Sequence, residues 1–282
     1  MIDIIKAFFI GIVQGITEWL PVSSTGHMIL FDEFIHMNVS AEFKELFLVV
    51  IQLGSILAVL TLYFGKLNPF APSKSREEKK GTWILWSKVI VAVLPAAVIG
   101  LLFDDLLDKY LYNYVTVAIT LIVYGIAFIV IERRHAAKNT AFKIETVDDI
   151  DYATALKIGA AQVLALIPGT SRSGSTIIGS MCVGVSRTAA SEFSFFLAIP
   201  VMLGASALKV LKYIVKVGAS FTQAEVITLV VGIVTAFAVS VVAIKFLMGF
   251  VRRHSFEVFG WYRIALGVIV IGYFLLRSFV LA

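Results

Sequence analysis

Nine consecutive residues, Pro168-Gly169-Thr170-Ser171-Arg172-Ser173-Gly174-Ser175-Thr176, bring one cation, five hydroxyls and two glycines into a stretch that is otherwise almost wholly apolar. Packing a hydrophobic core has no use for such a run. An arginine at bilayer depth costs about 2.5 to 3.5 kcal/mol on insertion scales, so one retained there faces a cavity and a partner. A guanidinium fork, hydroxyls and backbone N–H groups freed by glycine suit an anionic phosphate or pyrophosphate. An earlier polar break holds Glu18, Ser23, Ser24, Thr25 and His27, with Gln14 one turn before Glu18 on the same helix face. Ser24 and His27 are close enough in sequence for a hydroxyl to meet an imidazole, and a carboxylate such as Glu18 that orients the ring completes a triad-like arrangement. The two breaks together make a phosphoryl-transfer site, with nucleophile and base from the first and charge stabilisation from the second.

Plainer roles compete for several of these residues. Ser23, Thr25, Ser173 and Ser175, taken singly, are equally well explained as cap and turn residues. His36, His135 and His254 are read as loop histidines without chemistry. Gly11 and Gly15 suit close helix packing, and Arg263 beside Trp261 and Tyr262 reads as an interfacial anchor. Asp148, Asp149 and Asp151 lack a calcium-loop spacing and are read as flanking and capping the next helix.

The elements that place these residues are membrane helices. The chain has 282 residues, 59% hydrophobic and 15% charged, with a mean hydropathy of +0.93, well beyond soluble usage of about 45 to 50% apolar. Six segments are long enough to cross a ~30 Å hydrocarbon core: roughly 43–64, 83–103, 112–131, 190–214, 224–248 and 258–281. The two broken stretches, 3–34 and 152–187, read as re-entrant helix hairpins, since irregular backbone survives at membrane depth only inside protein or beside a wet cavity. The N-terminal stretch is read as retained, because Asp3, Gln14, Thr17 and Glu18 spoil a signal-peptide pattern. The net charge of +5 could suggest nucleic acid, but the basic residues fall in short loops, so no nucleic-acid partner is expected. Cys182, the single cysteine, cannot form an internal disulfide.

The broken stretches also resemble each other. Gly11-Ile12-Val13-Gln14 matches Gly159-Ala160-Ala161-Gln162 at an offset of 148, and Pro21-Val22-Ser23-Ser24 matches Pro168-Gly169-Thr170-Ser171 at 147. Ala41-Glu42-Phe43 with Ser191-Glu192-Phe193, and Leu53-Gly54 with Leu203-Gly204, agree at 150. This predicts an all-α polytopic membrane protein with an inverted repeat of two halves, each a re-entrant hairpin plus three transmembrane helices. The first repeat is 1–131, the cytoplasmic connection 132–151 and the second repeat 152–282; an odd number of spans per half turns the second copy upside down. Basic residues gather in 65–82 (Lys66, Lys74, Arg76, Lys79, Lys80), 132–151 (Arg133, Arg134, Lys138, Lys143) and 249–257 (Arg252, Arg253). The opposite connections, 104–111 and 215–223, hold only Lys109 and Lys216, the former with Asp104, Asp105 and Asp108. The basic loops are therefore expected in the cytoplasm and both termini outside.

At the level of motifs, Gln14-x-x-x-Glu18 followed by Pro21-Val22-Ser23-Ser24-Thr25-Gly26-His27, and the Pro168–Thr176 run, resemble the two signatures of the undecaprenyl-diphosphate phosphatase family, the bacitracin-resistance type. The likeness extends through Gly184-Val185-Ser186-Arg187 to Phe195. It implies an integral membrane phosphatase that removes the terminal phosphate of a polyprenyl diphosphate lipid at the outer face of a bacterial plasma membrane. Such an enzyme recycles the carrier lipid for cell-wall synthesis and confers bacitracin resistance. The resemblance places the family's catalytic residues on Glu18, Ser24, His27 and Arg172, with Gln14, Ser23, Thr25, Gly169, Thr170, Ser171, Ser173 and Thr176 binding substrate. Gln14 stands where some relatives have a second carboxylate. A divalent cation (Mg or Ca) associated with the family is then expected to enter with the diphosphate, with Glu18 its one protein ligand; no organic cofactor is expected, and a homodimer stays open. Attack by Ser24, by water or by His27 itself also stays open. The competing function is a polyprenyl-phosphate lipid transporter or flippase, because inverted repeats with broken helices are common in transporters; a structural membrane protein is the weaker third.

Overall fold

The structure is a computed structural model and describes residues 2–111, 113–138 and 142–280. Its order is α1 (Ile2–Thr17), α2 (Ser24–Phe34), α3 (Ala41–Val50), α4 (Gln52–Leu62), α5 (Phe64–Leu67), α6 (Arg76–Leu111), α7 (Tyr114–Lys138), α8 (Tyr152–Val163), α9 (Arg172–Cys182), α10 (Arg187–Lys216), α11 (Gln223–Val251) and α12 (Glu257–Val280), with a 3-10 turn at Leu164–Leu166 after α8. Six segments among the described residues are long and apolar enough to cross a membrane: Ala41–Leu62, Arg76–Phe103, Tyr114–Ala137, Arg187–Lys216, Gln223–Val251 and Glu257–Arg277. Each overlaps one of the six expected spans, with ends that differ by up to seven residues, and the first is made of two helices, α3 and α4, joined at Ile51; in the bilayer core only helices satisfy their backbone polar groups. The protein is thus an all-α polytopic membrane protein.

The broken stretches fold as short helix pairs. Helix α1 has 16 residues, α2 has 11, α8 has 12 and α9 has 11, so at 1.5 Å per residue each reaches about 16 to 24 Å, short of a ~30 Å core. Local chemistry sets their starts. Ser23 caps α2 by accepting from Gly26 N–H at 3.3 Å, Ser171 caps α9 by accepting from Gly174 N–H at 3.2 Å, and Asp151 caps α8 by accepting from Thr154 N–H at 2.7 Å. That bond holds the Asp151 carboxyl below its usual range, and the expected capping role of this acidic cluster is met by Asp151.

The short pair α1–α2 and the short pair α8–α9 are each followed by long spans. Packing is reciprocal: α1 lies on α11, α8 lies on α6, and α7 lies against α12. At the α7–α12 crossing a Cβ on Gly125 would meet the Gly260 carbonyl oxygen at 2.7 Å, and one on Gly260 would meet the Gly125 oxygen at 2.7 Å. Gly11 and Gly15 approach the α11 backbone as closely, with Gly232 O and Ala236 O each 2.9 Å from an added Cβ, which is the helix packing expected of them. The halves agree locally in a register that differs from the match of the two prolines. Ser23 and Ser171 share a rare backbone, φ 71° and 72°, and equivalent caps, which fixes the offset at 148 and pairs Ser24 with Arg172. The motif match at 147 followed proline identity, whereas the two strained serines lie 148 apart, the offset of the Gly11 and Gly159 match.

Two other expectations change. Residues 104–111 are not a loop but the continuation of α6 to Leu111, a run without a helix breaker. His135 lies in the last turn of α7, its Nδ1 3.0 Å from the Ile131 carbonyl oxygen. The side chains of Asp104, Asp105, Asp108 and Lys138, residues 139–141, and the span ends 112 and 281 lie outside the described residues.

Candidate active site

The loop between α1 and α2 and the loop before α9 meet at the centre of the bundle. Glu18 is the hinge of their contact: its Oε1 accepts from Arg172 Nη2 at 3.0 Å and its Oε2 from Gln14 Nε2 at 2.9 Å. Both partners of the ion pair are nearly sealed, at 7% and 11% side-chain exposure, so the attraction is little screened by water. Arg172 Nη1 donates to Ser194 O at 2.7 Å and Ser194 Oγ at 3.1 Å, and its guanidinium lies 5.8 Å from the Trp19 ring centroid. Thr176 Oγ1 joins the same network, 2.7 Å from Ser194 Oγ. Ser173 ties the loops directly, donating to Glu18 O at 3.2 Å, with Ser171 Oγ 3.1 Å away. Arg172 Nε and Trp19 Nε1 are buried donors with no protein partner, the type of group that an anionic oxygen satisfies.

The first hairpin differs from the triad that spacing suggested. His27 Nδ1 lies 2.7 Å from the Ser23 carbonyl oxygen, which can only accept, so Nδ1 carries a proton. Its Nε2 is 2.7 Å from the Tyr262 hydroxyl, and the two rings stack at 5.6 Å and 8°. Ser24 is therefore not hydrogen-bonded to His27, and Glu18 does not orient it; Glu18 is drawn to the nearest cation, Arg172. Ser24 opens α2 with a half-buried hydroxyl free of any described partner, and Thr25 beside it is likewise half-buried and free. Gly169 (φ 87°) and Thr170 turn the second loop, and their carbonyls accept from Arg263 Nη2 at 2.9 Å each. Arg263 is fully buried, so it is no interfacial anchor: its partners are loop carbonyls at the centre of the protein.

Whole-chain comparison decides the family. The family model described as "Bacitracin resistance protein BacA" matches residues 7–269. The chain belongs to the BacA family. Relatives named undecaprenyl-diphosphatase include one from Enterococcus faecalis (strain ATCC 700802 / V583), 61% identical over 270 residues and covering 96% of this chain and 97% of the relative. One from Acetivibrio thermocellus is 58% identical over 275 residues, covering 98% and 99%. A relative from Clostridioides difficile (strain 630), named undecaprenyl-diphosphatase 1, is 58% identical over 276 residues, covering 98% of each chain.

In this BacA-family chain, Tyr262, Arg263, Ser194 and Trp19 join a site that the motifs alone did not assign to them. Ser194 lies inside the quoted Gly184–Phe195 likeness, and Tyr262 and Arg263 carried a signal only as polar groups within an apolar span. The donor set does not fit a resident divalent ion: both Glu18 oxygens are committed to Gln14 and Arg172, and no group of three or more His, Cys, Asp or Glu gathers among the described residues. An apolar cavity of about 480 Å³ opens at His27 and Tyr262 and is walled by Val13, Ile16, Leu20, Phe246 and Phe259. An adjoining hollow of about 550 Å³ shares Ile16, Leu20 and Phe246.

The loop geometry makes one substitution diagnostic. A Cβ on Gly169 would fall 2.2 Å from Thr120 Oγ1 and 2.7 Å from the Val117 backbone, at a φ that side chains avoid. Gly169→Ala is therefore expected to lower stability by roughly 1 to 3 kcal/mol and to reduce activity with it. Thermal unfolding in detergent checks this, and an unchanged melting temperature would show that the loop is not held as described.

Proposed function

We propose that this chain is an undecaprenyl-diphosphatase, hydrolysing the terminal phosphate of a polyprenyl diphosphate at the outer face of a bacterial plasma membrane. In that role it regenerates the carrier lipid for cell-wall synthesis and underlies bacitracin resistance. The observation that carries this is the buried contact of Glu18 with Gln14, Arg172 and Ser173, beside an apolar groove that reaches His27, in a chain that matches relatives of that name over almost its whole length.

The substrate chemistry follows the site's polarity. The diphosphate lies against Arg172 and the hydroxyls of the second loop, where the buried Nε donor is unspent. The polyprenyl tail takes the groove along α1, α11 and α12. With the basic loops inside, that groove lies on the inward side of His27, near the Arg252–Arg253 turn. A lipid of the outer leaflet points its tail inward and its headgroup outward, which matches. The inverted relation of the halves follows from three spans in each; it brings two hairpins together at mid-depth. A divalent ion accompanying the diphosphate belongs to the substrate, and no step is routed through it.

In the reaction, Ser24 Oγ attacks the terminal phosphorus. The Oγ–P bond forms, the bridging P–O bond breaks, and the lipid leaves as its monophosphate. His27 Nε2 takes the serine proton, which requires the Tyr262 hydroxyl to release that nitrogen. His27 passes that proton to the departing lipid monophosphate and then takes one from water, whose attack breaks the Ser24 Oγ–P bond, returns a proton to Ser24 and releases inorganic phosphate. The Arg172 fork holds the equatorial oxygens throughout.

Purified protein in detergent is expected to release inorganic phosphate from undecaprenyl diphosphate at a steady rate. Saturable lipid binding with no phosphate released would favour a transporter and overturn the hydrolase.

A further inference from the structure

The Glu18–Arg172 pair is electrically neutral, so Arg172 alone gives this centre no net charge with which to draw in a diphosphate. The uncompensated cation is elsewhere. Arg263 on α12 is fully buried, and no carboxylate pairs with it among the described residues. Its Nη1 donates to Pro21 O at 3.2 Å in the first loop, and its Nη2 to Gly169 O and Thr170 O at 2.9 Å each in the second. The Tyr124 ring lies under it at 5.6 Å, and Nε has no partner. It packs closely on α9, where a Cβ on Gly174 would approach Nη1 to 3.3 Å. A buried charge held only by carbonyls is costly to keep, and the carbonyls it holds are those just before the strained caps Ser23 and Ser171.

We propose that Arg263 is a positioning residue of the active site, clamping the two irregular loops to each other while supplying the net positive charge that attracts the diphosphate. Its planar fork is what the geometry needs, because one group must reach carbonyls from two loops at once. A lysine has the charge but a single point of contact, and a glutamine has neither the charge nor the reach. Charge and clamp are therefore separable: the first governs anion affinity, the second governs how well Ser24 and Arg172 face each other.

The clamp rests on the hydrolase assignment, and the affinity does not. Two measurements keep them apart: kcat for undecaprenyl diphosphate, and direct binding of inorganic pyrophosphate by calorimetry, each on protein that elutes as a single species. Arg263→Lys is expected to lower kcat roughly tenfold or more while pyrophosphate affinity stays within about threefold; Arg263→Gln is expected to weaken pyrophosphate roughly tenfold or more as well. A merely structural arginine would lower thermal stability in both variants and leave kcat and affinity of the folded fraction unchanged, which would overturn the proposal. If Arg263→Gln does not fold, Arg263→Lys decides: reduced kcat with retained affinity supports the clamp, and wild-type kcat removes it. If wild-type protein hydrolyses no lipid diphosphate, the hydrolase assignment fails, and the pyrophosphate comparison still tests the charge.

Discussion

Arg172→Ala is expected to cut phosphate release from undecaprenyl diphosphate by about 10³-fold or more, because it removes the guanidinium that joins Glu18 after α1 to Ser194 on α10. The same change has a predictable cost in stability. Glu18 is left as a buried carboxylate with one remaining partner, Gln14, and stripping one member from a buried ion pair typically costs about 3 to 5 kcal/mol. The two effects can be told apart. Glu18→Gln combined with Arg172→Ala removes the orphaned charge, so the double variant is expected to melt higher than Arg172→Ala alone without regaining activity. Arg172→Lys is expected to fall between, since an ammonium cannot serve Glu18 and the Ser194 carbonyl in the fork geometry. Phosphate release and melting temperature in detergent are the two readouts. Wild-type turnover in Arg172→Ala would remove this residue from the chemistry.

What was legible in the sequence follows from how each feature is encoded. The six spans are long one-dimensional signals, and each was found, with ends off by up to seven residues where charged flanks extend the helix. The polar residues of both breaks stood out because bilayer-depth hydroxyls and charges are rare by type. Their pairing was not encoded in that way. Spacing suggested that Glu18 serves His27, nine residues on, but an unscreened cation from residue 172 outcompetes a ring nine residues away. Tyr262 takes the His27 nitrogen that Ser24 was expected to share. Arg263 was misplaced for a deeper reason: its partners are main-chain carbonyls of Pro21, Gly169 and Thr170, and no side-chain pattern records a carbonyl. Flanking aromatic residues then made it look like a membrane-surface anchor. The pairing of Ser23 with Ser171 was not legible for a related cause, since φ at both is a property of the fold and not of residue type. Such strain at a non-glycine residue costs of order 1 to 3 kcal/mol and concentrates where geometry serves function.

The nucleophile is the sharpest remaining test, because no hydrogen bond joins Ser24 to His27 in the first hairpin, where His27 is held by Ser23 and Tyr262. Ser24 sits at the start of α2 with a free hydroxyl, directly after the strained cap. The Ser23 carbonyl holds His27 Nδ1, and Nε2 faces the Tyr262 hydroxyl. Ser24→Ala is expected to lose about 10³-fold or more in kcat and to accumulate no phosphoserine on rapid quench. His27→Ala is expected to lose about 10² to 10⁴-fold, the usual range for a general base. Tyr262→Phe keeps the stacked ring but removes the hydroxyl that occupies Nε2. It is expected to lose far less than His27→Ala, because the base is then freed without a competing donor while the ring stays in place. Near-wild-type turnover in Ser24→Ala, with His27→Ala inactive, would instead make the histidine or a water that it activates the attacking group, leaving Ser24 as a helix-start hydroxyl. A Tyr262→Phe variant as impaired as His27→Ala would mean that the hydroxyl itself carries the proton, and that the free lone pair on Nε2 is not what the reaction uses.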